Sequence, residues 1–467
     1  MTATRTAATL FAALLATTPA AAQAERYELG RRLRAYEVAW ESADRAARVR
    51  SYADLPKVTT QFFGLKLGEA GRTLDDARHA LRNAKVSAAE AWAASLQLLP
   101  EARLIDAAKP GLAVVVKPLY AVKSPDGATC RVTLSGGVPA AADLTKLPAT
   151  FTVPLPRVAA GGADLSLTLE VLVGDLRMGS HRVTVSVVPE LAARLAALPK
   201  LDPATLEAAT LRDRAELLRD LADGTAAETD LPAAKLLAEA EAMAKLPAGT
   251  PYFTATRAGR FGLSVPVARP GGKFDTAPLR LFVPAKLDAA KPVPLVVAMH
   301  GAGGSENLFF EGYGAGHAVT ECEKRGWLLV APRAGLFGAP PVAEVIAALA
   351  GRYPIDPKAV FVVGHSMGAG QAAELVQQSP GRYRGVALLG GAARVRDAKA
   401  FADLPLFLGV GTKDQLALTG MRALNKTLTA AGAKRLTYRE YPDAEHLVIV
   451  REALPNVFEA WDALRAE

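Results

Sequence analysis

The stretch Ala359–Gln371 reads Ala-Val-Phe-Val-Val-Gly-His-Ser-Met-Gly-Ala-Gly-Gln and predicts a strand, a sharp turn and a helix in direct succession. Its first five residues are apolar and mostly β-branched, which is typical of a buried strand, and 369–378 has the composition of a helix. Between them, at 364–368, lies the single Gly-x-Ser-x-Gly pattern of the chain. In this context the pattern indicates a nucleophile elbow with Ser366 as the nucleophile.

The chemistry of a serine nucleophile explains the residue types around Ser366, although a purely structural turn is the alternative interpretation. A serine raised on a strained turn needs neighbours without a Cβ atom, and Gly364 and Gly368 meet that need. The hydroxyl then lies at a helix N-terminus, where free N–H groups and the helix dipole stabilise a developing oxyanion. We therefore expect the amide of Met367 to be one donor of an oxyanion hole.

A second glycine-rich stretch follows the apolar run Pro294–Met299 and reads His-Gly-Ala-Gly-Gly at 300–304. Such a loop after a buried strand is typical of an oxyanion loop, because glycines let backbone N–H groups reach a substrate oxygen. Ala302 is predicted to supply the second donor, with Gly303 as the alternative. His300 precedes the serine in the chain, and we expect it to shape the turn by hydrogen bonding rather than to act as the base.

The acid and the base are expected after the serine, in the order Ser, Asp or Glu, His. His446 is the single histidine downstream of Gly370, and it lies in a loop after the last predicted strand. It is therefore the predicted base. His365 and His317 are predicted to be packing or substrate-side residues.

Two carboxylates compete for the role of the acid. Asp414 follows the apolar run Pro405–Val410, where a side chain at a strand end would point at the site, and it is the preferred candidate. Asp443 shares the loop of His446 and would need a tight fold-back to reach it. A turn cap is the alternative role for Asp414.

From Tyr252 onward, apolar runs alternate with helical segments. This pattern predicts a mostly parallel sheet with helices on both faces. The elbow strand is expected to follow a turn at Pro354–Pro357. The predicted strands are 278–284, 294–299, 326–332, 359–363, 385–389, 405–410 and 436–440.

These features make Tyr252–Glu467 resemble the α/β-hydrolase superfamily, and within it the esterases around polyhydroxybutyrate depolymerases, feruloyl esterases and acetyl xylan esterases. The resemblance covers a little under half of the chain. It implies an α/β-hydrolase fold and hydrolysis through a covalent acyl-enzyme without a metal or organic cofactor. In that scheme Ser366 attacks, His446 transfers the proton, and Asp414 orients and stabilises the imidazolium. The residues that carry it are 281–284, 294–304, 326–332, 353–360, 364–370, 411–414 and 446.

The residues before Tyr252 do not share this resemblance. We predict a signal peptide at 1–24 with cleavage after Ala24, because a sparse basic start and a short apolar run precede an Ala-Gln-Ala site. The remaining segments are predicted as a helical region at 25–110, a β-sandwich-like domain at 111–188, a helical linker at 189–250 and the catalytic domain at 251–467. Export to the periplasm or the exterior follows from the signal pattern.

Composition limits the classes of partner. The chain of 467 residues has a net charge of +8, but its basic residues are scattered among 47 acidic ones without a dense run. We therefore expect no nucleic-acid partner, and no apolar run is long enough for stable membrane insertion. Cys130 and Cys322 are the two cysteines, and two buried free thiols are the expected state. The oligomeric state cannot be inferred.

Three functions compete for the whole chain. The preferred hypothesis is an exported serine esterase, with an ester substrate that is polymeric or carbohydrate-linked. The alternatives are a serine peptidase of the prolyl-oligopeptidase type and a binding protein with a hydrolase-like domain that has lost activity. The short segment between the strands ending near Gly390 and starting near Leu404 leaves no room for a cap domain. An open site that favours bulky esters is therefore expected, unless the N-terminal half covers it.

Overall fold

The computed structural model describes residues 20–82, 85–226, 230–247, 249–335 and 339–466. The predicted signal peptide at 1–24 lies outside this range as far as residue 19, and the first helix of the described residues begins at Ala20. Across the described ranges, no helix combines the length and the apolar character that spanning a bilayer would require.

The helices in the described part of the chain are numbered in chain order. They are α1 (Ala20–Ser42), α2 (Arg45–Ser51), α3 (Pro56–Phe63), α4 (Leu67–Ala80), α5 (Ala88–Ser95), α6 (Leu191–Ala196), α7 (Leu206–Asp223), α8 (Ala233–Ala244), α9 (Leu308–Glu311), α10 (Tyr313–Arg325), α11 (Val342–Ala350), α12 (Met367–Gln378), α13 (Leu418–Ala430) and α14 (Ile449–Ala466). A short 3₁₀ helix covers Ala398–Phe401.

The strands follow the same numbering. They are β1 (Leu96–Pro100), β2 (Leu104–Asp106), β3 (Gly111–Pro118), β4 (Ala128–Leu134), β5 (Ala140–Asp143), β6 (Ala149–Pro154), β7 (Ala163–Val173), β8 (Leu176–Val188), β9 (Gly259–Arg269), β10 (Lys273–Val283), β11 (Val293–Met299), β12 (Leu328–Pro332), β13 (Ile355–His365), β14 (Gly385–Leu389), β15 (Leu406–Gly411) and β16 (Leu436–Tyr441).

The chain separates into two compact units, each built from several segments. The first unit takes in the residues up to Tyr36, Lys57–Lys200 and Arg214–Pro247. The second takes in Glu37–Pro56, Leu201–Asp213 and Ala248–Glu467. The domain boundaries derived from composition stay a prediction.

The first unit contains the β-sandwich-like structure. Strands β1, β3 and β6 form a three-stranded sheet, and β2, β8, β7, β4 and β5 form a five-stranded sheet. Both sheets contribute to one buried core, which includes Val114, Val153, Val132 and Leu169. Buried and less buried residues alternate along β4 and β7, and the buried ones form the inward face.

One expectation for the first unit was wrong. The helical region predicted at 25–110 ends in strands, because β1 and β2 lie at 96–106. The sequence of β1 has neither β-branched residues nor alternation, but Leu96 pairs with Pro118 and its side chain is fully buried in the core between the sheets. Tertiary pairing therefore overrides a weak local preference.

The second unit is organised around an eight-stranded sheet in the order β9-β10-β12-β11-β13-β14-β15-β16. Strands β11 to β16 are parallel to one another, and β10 runs antiparallel to β12 and to β9. Helices α10 to α14 pack against its strands. A mostly parallel sheet with the elbow at a central strand is the predicted α/β-hydrolase fold.

The connections around β11 decide where a site can form. The chain leaves β11 to form β12 on one side and then β13 on the other side of β11. In open α/β sheets a crevice forms at the carboxyl ends of the strands where the connections diverge. The loop after β11 and the turn after β13 lie at this place.

The elbow strand is longer than the sequence predicts. The expected turn at Pro354–Pro357 is largely part of β13, because Ile355 pairs with Val293 before a register shift in the ladder. Two exposed residues, Pro357 and Lys358, precede the fully buried run that reaches the elbow. A bulge thus lets an irregular segment join the strand.

Aromatic rings connect β13 to the last helix. Phe361 of β13 stacks with Trp327 and with Trp461 of α14, with ring centroids 5.3 Å and 4.9 Å away. Phe458 contacts Trp461 edge-on at 5.2 Å. All four rings are almost completely buried, so they contribute a large apolar area to the sheet–helix contact.

We expect Trp461→Ala to lower the free energy of unfolding by about 3–5 kcal/mol, because it leaves a cavity beside Phe361. Chemical denaturation measures this change. Leu201→Ala, at a side chain that is 42% exposed, is the control and should change the value by less than about 1 kcal/mol. Equal effects of the two substitutions would contradict this account of the sheet–helix contact.

Candidate active site

Ser366 occupies the sharp turn between β13 and α12. Its backbone has φ 53° and ψ −115°, a conformation that side-chain-bearing residues rarely adopt. Strain of this kind costs about 1–3 kcal/mol and persists only where surrounding contacts enforce it. The Ser366 amide donates to the Leu389 carbonyl oxygen at 2.9 Å, which ties the turn to the neighbouring strand β14.

The glycines around Ser366 are required by close backbone packing. A Cβ atom at Gly364 would lie 2.2 Å from the carbonyl oxygen of Gly368, and one at Gly368 would lie 2.1 Å from that of Met299. A Cβ atom at Gly391 would lie 2.2 Å from the Ser366 carbonyl oxygen. Backbone cannot yield at such distances, so each position excludes any side chain.

The structure brings together the three side chains predicted as nucleophile, base and acid. His446 Nε2 lies 3.1 Å from Ser366 Oγ, and His446 Nδ1 lies 2.9 Å from Asp414 Oδ2. Asp414 is fully buried, His446 is 6% exposed, and Ser366 is partly accessible to solvent. Since Asp414 accepts at Nδ1, the ring presents a bare Nε2 that can accept the serine proton.

Asp414, rather than Asp443, makes the contact with His446. Its second oxygen accepts from the amides of Leu416 and Ala417 at 3.1 Å and 2.9 Å, so the carboxylate is held from both sides. Asp443 lies in a turn with φ 60°, where its amide donates to Thr412 Oγ1 at 2.9 Å.

The loops that carry the acid and the base are joined through their backbones. Strands β15 and β16 are parallel neighbours, and the Lys413 amide donates to the Ala444 carbonyl oxygen at 2.9 Å. A Cβ atom at Gly411 would lie 2.2 Å from that same oxygen. This close approach explains how two residues separated by 32 positions reach each other.

The loop after β11 lies against the serine. A Cβ atom at Gly301 would be 3.3 Å from the Ser366 Cβ atom. His300 Nδ1 lies 2.8 Å from the Gly301 carbonyl oxygen, and its Nε2 accepts from the Ala334 amide at 3.0 Å. The ring therefore binds backbone on both sides, and burial lowers its pKa. These two hydrogen bonds are of the kind that the sequence analysis predicts for His300, as a residue that shapes the turn.

Three amides near Ser366 have no acceptor within the part of the chain that the structure describes. They belong to Ala302, Gly303 and Met367, the three residues predicted for the oxyanion hole. The Gly301 amide, in contrast, donates to Tyr313 Oη at 3.2 Å. Gly303 has φ 75°, which a glycine adopts readily.

His365 is enclosed between Tyr313 and the loop of His446. Its Nδ1 lies 2.7 Å from Tyr313 Oη, and its Nε2 lies 3.0 Å from the His446 carbonyl oxygen. Burial, and then the neighbouring His446, hold the pKa of His365 well below its ordinary value, so the ring is neutral. His317 lies on α10, four residues after Tyr313, and its Nε2 is 3.4 Å from a carboxylate oxygen of Glu321.

Two buried glutamates belong to segments next to these residues. Glu37 of α1 lies in the second unit and is 2% exposed. Burial raises its pKa to about 8, although the Ala315 and Gly314 amides act to lower it. Glu445 is fully buried, which raises its pKa to about 7. One Glu445 oxygen accepts from the amides of Leu447 and Val448, so it also shapes the turn around His446.

Sequence reasoning missed Tyr313, Glu37 and Glu445. Tyr313 lies in the glycine-rich stretch around Gly312–Gly316, but nothing local indicates a partner 52 positions away. Glu445 is adjacent to the predicted base, and this proximity was the one available signal. Buried carboxyl groups cannot be recognised from sequence, because burial of a charged residue is set by tertiary packing.

Within the described ranges, no group of three or more His, Cys, Asp and Glu side chains is arranged to hold a metal ion. Cys130 and Cys322 are both buried and free, as predicted.

No family model and no curated protein matches the chain. Among solved structures, an S-formylglutathione hydrolase from Staphylococcus aureus matches with 12% identity and a TM-score of 0.35, covering 44% of this chain and 99% of that one. A feruloyl esterase module from Clostridium thermocellum matches with 16% identity and a TM-score of 0.35, over 46% and 91% of the two chains. A thermostable esterase matches with 16% identity and a TM-score of 0.38, over 80% and 99%. Because these values are low, the fold assignment rests on the strand order and connections of the sheet.

We expect Gly364→Ala to abolish activity and to lower the thermal midpoint, because the added methyl group meets backbone at 2.2 Å. Gly351→Ala is a matched control, since its Cβ atom would lie no closer than 3.8 Å to another atom and its φ is −73°. The account of the elbow is wrong if the two variants behave alike in activity and melting.

We expect Glu37→Gln to alter the dependence of stability on pH. The raised pKa means that the folded state keeps its proton longer than the unfolded state, whose carboxyl has a pKa near 4.5. The contribution of Glu37 to the free energy of unfolding is therefore fully present below that value. It is lost as the pH rises towards about 8, by up to about 1.4 kcal/mol per pH unit.

The amide of the variant does not titrate, so its advantage over wild type should grow between pH 5 and about 8 and then level off. Denaturant unfolding at several pH values measures the difference. Glu459→Gln, at an exposed position, is the control for removal of a carboxyl group. A Glu37→Gln curve parallel to that of wild type would contradict a raised pKa of Glu37 in the folded protein.

Proposed function

We propose that the protein is an exported serine hydrolase that cleaves carboxylic esters through a covalent acyl-enzyme. The observation that carries this proposal is the hydrogen-bonded series from Ser366 Oγ through His446 to the buried Asp414. It is mounted on a strained elbow that holds the serine at the end of a central strand. A serine that is not a nucleophile would need neither this strained turn nor a hydrogen-bonded histidine and aspartate.

The geometry supports a two-stage reaction. His446 Nε2 accepts the proton as Ser366 Oγ attacks the ester carbonyl carbon, and Asp414 stabilises the imidazolium that results. The same proton passes to the departing alcohol when the ester C–O bond breaks, which leaves the acyl group on the serine. A water molecule then loses a proton to His446 and attacks the acyl carbon. The bond between that carbon and Ser366 Oγ breaks, Oγ takes the proton back from His446, and the acid is released.

The unused amides supply the electrostatic part of the mechanism. Ala302 or Gly303 from the loop after β11, together with Met367 from α12, would donate to the negative oxygen of the tetrahedral intermediate. Loss of one such donor typically costs about 3 kcal/mol in barrier height. Because the Gly301 amide is engaged with Tyr313, the donors are expected to begin at Ala302.

The size of the substrate is proposed from the connection between β14 and β15. This segment contains one 3₁₀ helix, Ala398–Phe401, and no inserted domain that could close over the serine. The lack of an inserted domain at this connection favours access of bulky esters, so we propose that the alcohol or the acyl group is polymeric or carbohydrate-linked. Export is proposed from the residue pattern at 1–24.

The test is hydrolysis of p-nitrophenyl esters from acetate to octanoate, a feruloyl ester and an acetylated polysaccharide. We expect wild type to hydrolyse several of these and Ser366→Ala to lower kcat by at least about 10⁴-fold. Ser379→Ala, at the end of the same helix, is the matched control and should retain activity.

Other outcomes would favour the competing hypotheses. Cleavage of a peptide amide without cleavage of any ester would indicate a serine peptidase. Binding of a polysaccharide without turnover would indicate a binding protein. Preference for small soluble esters over polymeric ones would contradict the proposed substrate class but not the ester hydrolase itself.

A further inference from the structure

Tyr313 and His365 link the oxyanion loop to the loop that carries His446. Tyr313 Oη lies 3.2 Å from the Gly301 amide nitrogen and 2.7 Å from His365 Nδ1. His365 Nε2 lies 3.0 Å from the His446 carbonyl oxygen. Three consecutive hydrogen bonds therefore join Gly301 to His446.

The direction of every hydrogen bond in this series is determined by its two ends. The Gly301 amide can act as a donor alone, and the His446 carbonyl can act as an acceptor alone. His365 must therefore carry its proton on Nε2 and accept at Nδ1. The Tyr313 hydroxyl, which already accepts from Gly301, must donate to that Nδ1. Only one tautomer of His365 and one orientation of the hydroxyl satisfy all four groups.

The link is rigid because its members are enclosed. Tyr313 and His365 are each 3% exposed, and their rings meet edge-to-face with centroids 4.9 Å apart. Phe309 packs edge-to-face against Tyr313, with ring centroids 4.9 Å apart. Solvent therefore cannot replace a lost partner, and an unpaired buried group would bear its full desolvation cost.

We infer that Tyr313 and His365 are positioning residues of this site, setting the spacing between the oxyanion donors and the His446 imidazole. The inference rests on the proposed hydrolase function and names two residues outside the set of Ser366, His446 and Asp414. The His365 ring also packs against the His446 ring, with centroids 4.9 Å apart. Its basis is the hydrogen-bonded link between the backbones of Gly301 and His446, across the residue that precedes Ser366.

The link has two consequences for the reaction. It engages the Gly301 amide, so that Ala302 and Gly303 are the residues of the loop with amides left for a substrate oxygen. It also anchors the His446 backbone, which orients the ring between Ser366 Oγ and Asp414. A displacement of about 1 Å in such a site can lower the rate about 10²-fold.

The first test is Tyr313→Phe, which keeps the ring and removes the hydroxyl. We expect kcat for a p-nitrophenyl ester to fall by about tenfold to a hundredfold with KM changed less than about twofold, because positioning is lost rather than substrate binding. Tyr52→Phe is the matched control: Tyr52 is also buried, and its hydroxyl accepts from the Trp40 indole at 2.8 Å. It should lose stability without losing kcat.

Two substitutions at His365 separate the two halves of the link. Asn can accept from Tyr313 near the Nδ1 position but does not reach His446, whereas Gln can donate to the His446 carbonyl near the Nε2 position. We expect His365→Ala to lower kcat most and His365→Asn and His365→Gln each to recover part of the loss. Equal kcat values for the three variants would contradict the two-sided link.

A spectroscopic measurement on the wild-type protein covers the case in which Tyr313→Phe does not fold. In ¹⁵N-histidine-labelled protein at pH 7, the ring nitrogen signals of His365 should be those of the neutral Nε2–H tautomer. These signals are assigned to His365 because they disappear in His365→Asn. A charged ring or the Nδ1–H tautomer would overturn the inference.

Failure of this inference is distinguishable from failure of the proposed function. If wild type is active, Ser366→Ala is inactive and Tyr313→Phe has a wild-type kcat, positioning by Tyr313 is wrong and the hydrolase stands. If wild type hydrolyses nothing, the proposed function and the positioning role that rests on it both fall, whatever tautomer His365 adopts.

Discussion

The close approach of three backbone segments at the elbow is the constraint on which the second unit depends. Strand β13, helix α12 and the end of β11 meet where Gly364 and Gly368 leave no space for a Cβ atom. This contact forces Ser366 into its unusual backbone conformation and places the loop after β11 beside it. The strained turn costs about 1–3 kcal/mol. This cost is small beside the free energy gained by burying the strand ladder and the aromatic rings around Phe361, which support the turn.

A second constraint is that buried backbone groups must find partners. The polar side chains around the serine satisfy amides and carbonyls of the loops they join: His300 binds two backbone groups, and Asp414 accepts from two amides. The same requirement links Gly301 to His446 through Tyr313 and His365. Loops that would otherwise move independently are thus held in one arrangement, which is what a preorganised site requires.

Burial also decides the charge state of groups near the site. Glu37 and Glu445 are carboxyl groups removed from water, and their raised pKa values make them partly protonated near neutral pH. His365 is kept neutral by the same cause acting with the opposite sign.

The sequence by itself determined the fold class of the C-terminal part, the elbow and the few candidates for its partners. These follow from short-range patterns: apolar β-branched runs, glycines where backbone must approach, and a single histidine downstream of the serine. Tertiary structure alone decided that β1 is a strand, that Asp414 rather than Asp443 contacts His446, and that Tyr313 and Glu37 lie near these residues. The physical reason is that local propensity acts over a few residues, whereas partners, burial and charge state are set by segments that meet only when the sheet has formed.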